Sequence, residues 1–194
     1  MEDDRLKIWQ RRITRLNDQQ AYNDLFLHFY HSLHQFAFSL LKSRQLAEEA
    51  VSDVFIKIWQ KRDRLESITN IRLYLFTSTR NTVLNYLKKQ KGLQHISPDD
   101  YRVELSSVVF DPEQLLVTTE MLHKVQRAIQ SLPPKCKMIF KLTKEEGLKY
   151  KEVAALLHLS VKTIENQMVI ALKRIGSEIG LDIRRAASPA SKPV

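Results

Sequence analysis

Residues 150–175 read YKEVAALLHLSVKTIENQMVIALKRI, two helical patterns separated by His158-Leu159-Ser160 alone. In the second, Val161, Ile164, Met168, Leu172 and Ile175 recur at steps of three or four, which puts them on one helix face. Ser160 stands where an N-cap belongs and can accept from the free amides of the first turn. Between the apolar positions come Lys162, Thr163, Glu165, Asn166 and Gln167, all able to bond another molecule. So short a connection forces the two helices to cross steeply, the helix-turn-helix arrangement, and Ala154 on the first permits the close approach. In that arrangement the second helix enters the major groove of DNA with its N-terminal residues at the base edges. Lysine donates to guanine, asparagine pairs with adenine and glutamate accepts from cytosine. Lys173 and Arg174, further along, suit phosphates that fix position without reading sequence. The competing reading is a hairpin of a helical bundle whose polar side is simply solvated. Val169 and Ile170, apolar near the outer side, fit thymine methyls, a neighbouring helix or a protein contact.

The rest of the chain is consistent with an all-α protein. It has 194 residues, 43% of them hydrophobic, with four glycines and six prolines, and long periodic runs dominate. The net charge of +9 is unevenly placed: 16 basic and 10 acidic side chains in residues 1–92, 1 and 5 in 93–116, 14 and 7 in 117–194. Two basic blocks thus flank a short acidic one, and a basic block suits a polyanion, either nucleic acid or an anionic membrane surface. Cys136 is the single cysteine, which excludes an internal disulfide and any zinc site built on cysteines. It shares an apolar stripe with Ile139 and Phe140 and is expected to be a buried, inert thiol. MEDDRLKIWQRR at the N-terminus lacks the apolar core of a signal peptide, and no stretch approaches the ~20 apolar residues of a membrane span. The expectation is a soluble cytoplasmic protein, without membrane insertion.

Periodicity predicts a first helix from about Asp18 to Leu41, rich in aromatics, and a second from near Leu46 through AEEAVSDVFIKIWQKRDRL. ESITN then breaks the pattern and offers Ser67, Thr69 and Asn70 as caps, before a third helix that ends in a basic cluster ahead of Gly92. From Leu93 to about Pro112 no period is sustained, and Pro98-Asp99-Asp100 and Asp111-Pro112 are turn signals. That stretch reads as a flexible acidic linker between two small helical domains. A helix from Glu113 to about Gln130 follows, and Leu132-Pro133-Pro134 ends it and opens the next, with Pro134 suited to a first helical turn. Gly147 closes that helix, and a short one from about Lys151 to Leu157 leads into the opening stretch. The tail RRAASPASKPV is expected to be disordered.

Two of these segments, in order, resemble one family. AEEAVSDVFIKIW (Ala47–Trp59) with NIRLYLFTSTRNTVLNYLKKQ (Asn70–Gln90) looks like the second conserved region of bacterial sigma factors. LPPKCKMIFKLTKEEGLKYKEVAALLHLSVKTIENQMVIALKRI (Leu132–Ile175) looks like their fourth. The third region is missing between them, the layout of the extracytoplasmic-function (ECF) group. The resemblance implies a transcription initiation factor with no active site and no cofactor, divided into a region 2 domain (1–92), an acidic linker (93–116), a region 4 helix-turn-helix domain (117–183) and a tail (184–194). It further implies that Glu49, Asp53, Val54 and Lys57 dock on the clamp helices of the largest subunit of core RNA polymerase. Ser67, Thr69, Asn70, Arg80, Asn81, Lys88 and Lys89 would engage the melted −10 strand of promoter DNA, with a flipped base held near Glu66–Ile71. Lys162, Thr163, Glu165, Asn166, Lys173 and Arg174 would read the −35 element as duplex. An anti-sigma factor is the expected regulator. This sequence departs from the family pattern at Ser52, where glutamine is usual, at Asn85, where aspartate is, and at His158, where glycine is. Gln167 and Ile170 replace arginines, which shifts the phosphate contacts onto Lys162, Lys173 and Arg174.

Other classes fit less well. A conventional helix-turn-helix regulator with an N-terminal sensing domain would bind its operator without polymerase, and it leaves the first-domain motif unexplained. An enzyme acting on DNA needs a nucleophile with clustered arginines or converging carboxylates that bind metal. Asp53, Asp63 and Glu66 share no clear helix face. His28, His31 and His34 recur every three residues but have no further ligand motif nearby, so packing or surface roles are expected.

Overall fold

The computed structural model describes residues 2–90 and 120–178, all of whose regular structure is helical. The chain divides into two compact units: the first takes in the described helices of residues 2–90 and also Ala155–His158, and the second takes in the rest of residues 120–178. The expected linker, its two turns, the start of the Glu113 helix and the tail lie outside the described residues.

The first unit contains α1 (Glu2–Leu16), α2 (Gln19–Leu41), α3 (Arg44–Gln60), a 3-10 helix (Arg62–Ser67) and α4 (Ile71–Gln90). Local chemistry sets the boundaries. Asp18 caps α2, its carboxylate accepting from the Ala21 amide at 3.0 Å. At the other end of α2, Lys42 adopts a left-handed conformation (φ 58°) and its amide donates back to the Phe38 carbonyl. Ser43 then caps α3 at once, accepting from the Leu46 amide at 3.3 Å. Leu25, Phe29, Leu33 and Phe36 of α2 meet Val51, Val54, Phe55 and Ile58 of α3, and Leu75, Phe76, Val83 and Leu84 of α4. Edge-on aromatic pairs join the helices: Tyr22 with Trp59 at 4.9 Å, Phe26 with Phe55 at 4.9 Å, Phe36 with Phe76 at 5.3 Å. Burying a side chain of this size contributes about 1.5–3 kcal/mol.

Two elements were not foreseen: the second helix, expected to run through Leu65, ends at Gln60 with a separate 3-10 helix over Arg62–Ser67, and α1 precedes the expected first helix. α1 packs on α2 and on the 3-10 helix through Leu6, Gln10 and Ile13. Its apolar stripe is interrupted at the middle by Gln10, which is buried and satisfied by carbonyls from elsewhere in the unit. The histidines of α2 are packing residues: His28 lies against Trp9 and 3.2 Å from the Glu2 carboxylate, His31 contacts Gln35, and His34 stacks on Tyr30.

The second unit contains α5 (Glu120–Gln130), α6 (Pro134–Lys144), α7 (Tyr150–Leu157) and α8 (Val161–Glu178). Pro134 occupies the first turn of α6, as expected. Gly147, at φ 66°, lets the chain turn out of that helix, and the Leu148 amide donates back to the Leu142 carbonyl at 3.0 Å. Cys136 is buried with Ala128, Leu132, Ala171 and Ile175; burial pushes its thiol pKa up, and the thiol donates to the Gln167 carbonyl at 3.2 Å. The stripe of α8 runs through Ile164, Met168, Ala171 and Ile175. Leu172, expected on it, is 38% exposed instead. At about 100° per residue, Leu172 sits about 80° from Ile164 and Ala171 only about 20°, so the smaller residue takes the seam.

Candidate functional site

The α7–α8 turn is built as its residues demand. α7 opens with Glu152 reaching back to accept from the Lys149 amide at 2.8 Å, half of a capping box. It closes at His158, which takes the left-handed conformation (φ 52°) that glycine adopts without strain, and the next amide, of Leu159, donates to the Ala154 carbonyl at 2.9 Å. Ser160 caps α8, accepting from the Thr163 amide at 3.0 Å. Ala154, 5% exposed, has the small side chain that the crossing was expected to need.

The exposed side of α8 carries the foreseen residues. Lys162, Asn166, Lys173 and Arg174 are exposed. Glu165 is half-buried and lies 3.5 Å from the Lys162 ammonium, one turn apart on an open surface where such a pair is worth little. Thr163 is tied down by its hydroxyl, which shares a 2.8 Å hydrogen bond with Ser160, so it belongs as much to the turn as to the outer face. Val169 and Ile170 stand open at 50% and 40% exposure beside these polar groups.

In the first unit, the remaining candidates lie on the outward side of α3, in the stretch between α3 and α4, and along α4 to its last turn. Glu49, Ser52 and Asp53 line an open pocket of about 400 Å3 together with Gln45, Glu48 and Tyr86. The Tyr86 hydroxyl donates to the Asp53 carboxylate at 3.0 Å; burial and then that carboxylate push the phenol up to about 12. Lys57 is exposed on the same helix. Val54 is not part of this surface: at 1% exposure its side chain is core, because it lies on the stripe with Val51 and Ile58.

The loop between α3 and α4 presents Thr69, exposed, and Asn70, whose side-chain carbonyl caps α4 by accepting from the Leu73 amide at 3.0 Å. Ser67 is exposed, with its hydroxyl donating to the Arg64 carbonyl at 2.7 Å. Along α4, Asn81 and Lys89 are exposed and Lys88 half-buried. Arg80 is 6% exposed, so the Arg80-Asn81 pair divides, with the arginine withdrawn into the unit and the asparagine at the surface. Of the three α4 aromatics, Phe76 is fully buried, Tyr86 half-buried and Tyr74 37% exposed. Two contributors were missed from sequence: Tyr86, as the partner of Asp53, and α1, whose Gln10 and Thr14 hold the loop from behind. Among the described residues no cluster of three or more histidines, cysteines or carboxylates converges as a metal site would, and no helix is long and apolar enough to cross a membrane.

Comparison with known proteins identifies both regions. Residues 25–92 match sigma-70 region 2, and residues 122–175 match sigma-70 region 4. The chain is 27% identical over 176 residues to the ECF RNA polymerase sigma-E factor of Escherichia coli, covering 87% of this chain and 91% of that protein. It is 22% identical over 168 residues to the ECF RNA polymerase sigma factor SigW of Bacillus subtilis, covering 82% and 90%. Among solved structures it is similar to the sigma factor RpoE of Bartonella quintana, determined in complex with the anti-sigma factor NepR, at 26% identity and a TM-score of 0.50, covering 83% of this chain and 98% of that one. The helix-turn-helix and the polar faces of α3 and α4 are thus those of two regions that occur together, in this order, in initiation factors without enzymatic activity. The chain belongs to the sigma-70 family, as a sigma factor of the ECF group.

Proposed function

We propose that this sigma factor divides promoter recognition between its two units, and that the exposed polar faces of α3, α4 and α8 carry the three tasks. Glu49, Asp53 and Lys57 dock on the clamp helices of core RNA polymerase, while Val54 supports that surface from the core. Ser67, Thr69, Asn70, Asn81, Lys88 and Lys89 engage the melted −10 strand, with Arg80 beneath them. Lys162, Glu165 and Asn166 read the −35 duplex, Thr163 shapes the start of that helix, and Lys173 and Arg174 hold phosphates. The domains run over 1–92 and 117–183, with 93–116 as linker and 184–194 as tail, and the protein works in the cytoplasm, where polymerase and promoter are.

The observation that carries the reading is the exposure of Lys162 and Asn166 one turn apart on a properly capped helix-turn-helix, within a matched region 4. A solvated bundle face would need neither the left-handed turn nor the small Ala154. The Bartonella relative bound to an anti-sigma factor supports the same kind of regulation here, by a protein that covers polymerase- or DNA-facing surfaces.

Paired substitutions test the division of labour. Lys162→Ala with Asn166→Ala is expected to weaken −35 discrimination and leave polymerase binding intact. Asp53→Ala with Lys57→Ala is expected to lower polymerase affinity and leave isolated duplex binding unchanged. If both pairs behave alike, the assignment of tasks to faces is wrong.

A further inference from the structure

Four polar side chains of α1, Gln10, Arg11, Thr14 and Arg15, converge on one target, the segment from Arg62 to Ile68 that leads into the loop ahead of α4. Gln10 is 3% exposed, and its amide donates to two carbonyls of that segment, Leu65 at 2.8 Å and Ile68 at 2.9 Å. One turn on, the Thr14 hydroxyl donates to the Arg62 carbonyl at 2.8 Å and accepts from the Glu66 amide at 3.1 Å. Outside these, Arg15 grips the Glu66 carboxylate through two nitrogens, both at 2.8 Å, with Arg11 at 3.5 Å. The Arg62–Ser67 helix is a short 3-10 turn, a form with poor internal hydrogen bonds that needs outside partners to keep one shape. A leucine would fill the Gln10 position if packing alone were at stake; a buried amide is tolerated because both its bonds are made. α1 lies wholly outside the matched region 2, which begins at residue 25.

We propose that α1 is a positioning helix, and that Gln10 and Thr14 hold residues 62–68 in the shape that presents Ser67, Thr69 and Asn70 to the melted −10 strand. The proposal rests on the −10 assignment made above. Gln10 and Thr14 touch no DNA themselves; they fix the backbone from which the contacting side chains project. Loss of their bonds loosens the loop and blurs base preference, while the polymerase-docking face of α3 is untouched.

The test uses full-length protein assembled with core polymerase and a fluorescent non-template-strand oligonucleotide carrying the mapped −10 element or single-base substitutions of it. Gln10→Met and Thr14→Val each keep the side-chain volume and remove the bonds. Each is expected to reduce cognate-over-substituted discrimination about fivefold, with polymerase affinity within about twofold of wild type. Thr14→Ser, which restores the hydroxyl, is expected to recover discrimination. Arg15→Ala, an exposed change, is expected to move discrimination in the same direction by less, and it decides the matter if the buried variants do not fold. Unchanged discrimination in folded variants overturns the proposal, as does a parallel fall in polymerase affinity, which marks a merely structural role. Ser67→Ala with Thr69→Ala separates the layers: no effect of that pair sinks the −10 assignment and the proposal with it. An effect of that pair without one from the α1 variants sinks the positioning role alone.

Discussion

Asn166 and Lys162 project from the exposed side of α8, where neither is held by the fold beyond the weak contact of Lys162 with Glu165. Such residues are available to base edges, and a good bidentate pair discriminates by about 1–3 kcal/mol. Asn166→Ala is therefore expected to relax base preference at one position of the −35 element by roughly tenfold, read by competition binding with substituted duplexes. Lys173→Ala is expected to weaken all sequences alike and to reduce the salt dependence of binding by about one phosphate. Tyr86 gives a prediction of a different kind. Its phenol is pushed up to about 12, first by burial and then by the Asp53 carboxylate. The folded state thus holds the phenolic proton more tightly than the unfolded chain, so the stabilisation is complete below pH 10 and is lost as pH rises through the folded value. Absorbance titration of Asp53→Ala is expected to show a lowered phenol pKa that stays above 10, since burial is the larger cause; a value unchanged from wild type would remove Asp53 from the account. At this scale the sequence identified most surface residues but not their neighbours. Val54 and Arg80 were assigned to functional surfaces by the family resemblance, and the structure buries both.

Elements were legible where hydropathy and capping agree. α2, α3 and α8 begin after Asp18, Ser43 and Ser160, and each of these side chains makes its capping bond. α1 escaped because its stripe carries Gln10 at the centre, which breaks the apolar period while serving the 62–68 segment. The faces of α4 are not legible from hydropathy, because Thr79, Arg80 and Thr82 are all buried on it and polarity no longer marks which side is core. Two predictions belong here. His158 holds a left-handed turn that costs a residue with a Cβ about 1 kcal/mol. His158→Gly is expected to change stability by no more than about 1 kcal/mol, because glycine's greater unfolded entropy offsets the relief, whereas His158→Val is expected to lower the thermal midpoint clearly. The bracing of the loop by α1 also has a pH signature. Hydrogen bonding and charge from Arg15 hold the Glu66 carboxyl below its ordinary value of 4.5. A depressed folded value stabilises above the unfolded one and is lost as pH falls through the folded one. The stability difference between wild type and Arg15→Ala is therefore expected to be constant near neutrality and to shrink in thermal melts at pH values below that of an ordinary glutamate. A difference that does not change with pH would show that the pair does not contribute through charge.

For the whole molecule, the matched regions 2 and 4 mark one function, that of a sigma factor, and on the proposed assignment two separate surfaces serve it. Neither surface suffices alone: the α8 face resembles that of many helix-turn-helix proteins, and the acidic side of α3 is only a polar helix face until polymerase is supplied. Their order along the chain was readable because each region carries a local pattern, a stripe with caps in one and a turn with a recognition helix in the other. The roles of the separate side chains were less so, since those depend on which polar groups the fold leaves outside. The central claim is that this chain directs polymerase to promoters by reading two spaced elements. It is tested most directly by transcription in vitro from a genomic fragment library with core polymerase, with and without the protein. New start sites sharing a −35 and a −10 element at fixed spacing are predicted, and they should fade when Lys162 and Asn166 are replaced together. Stable binding of the protein to DNA with no association with core polymerase and no new starts would contradict the account and leave a conventional helix-turn-helix regulator in its place.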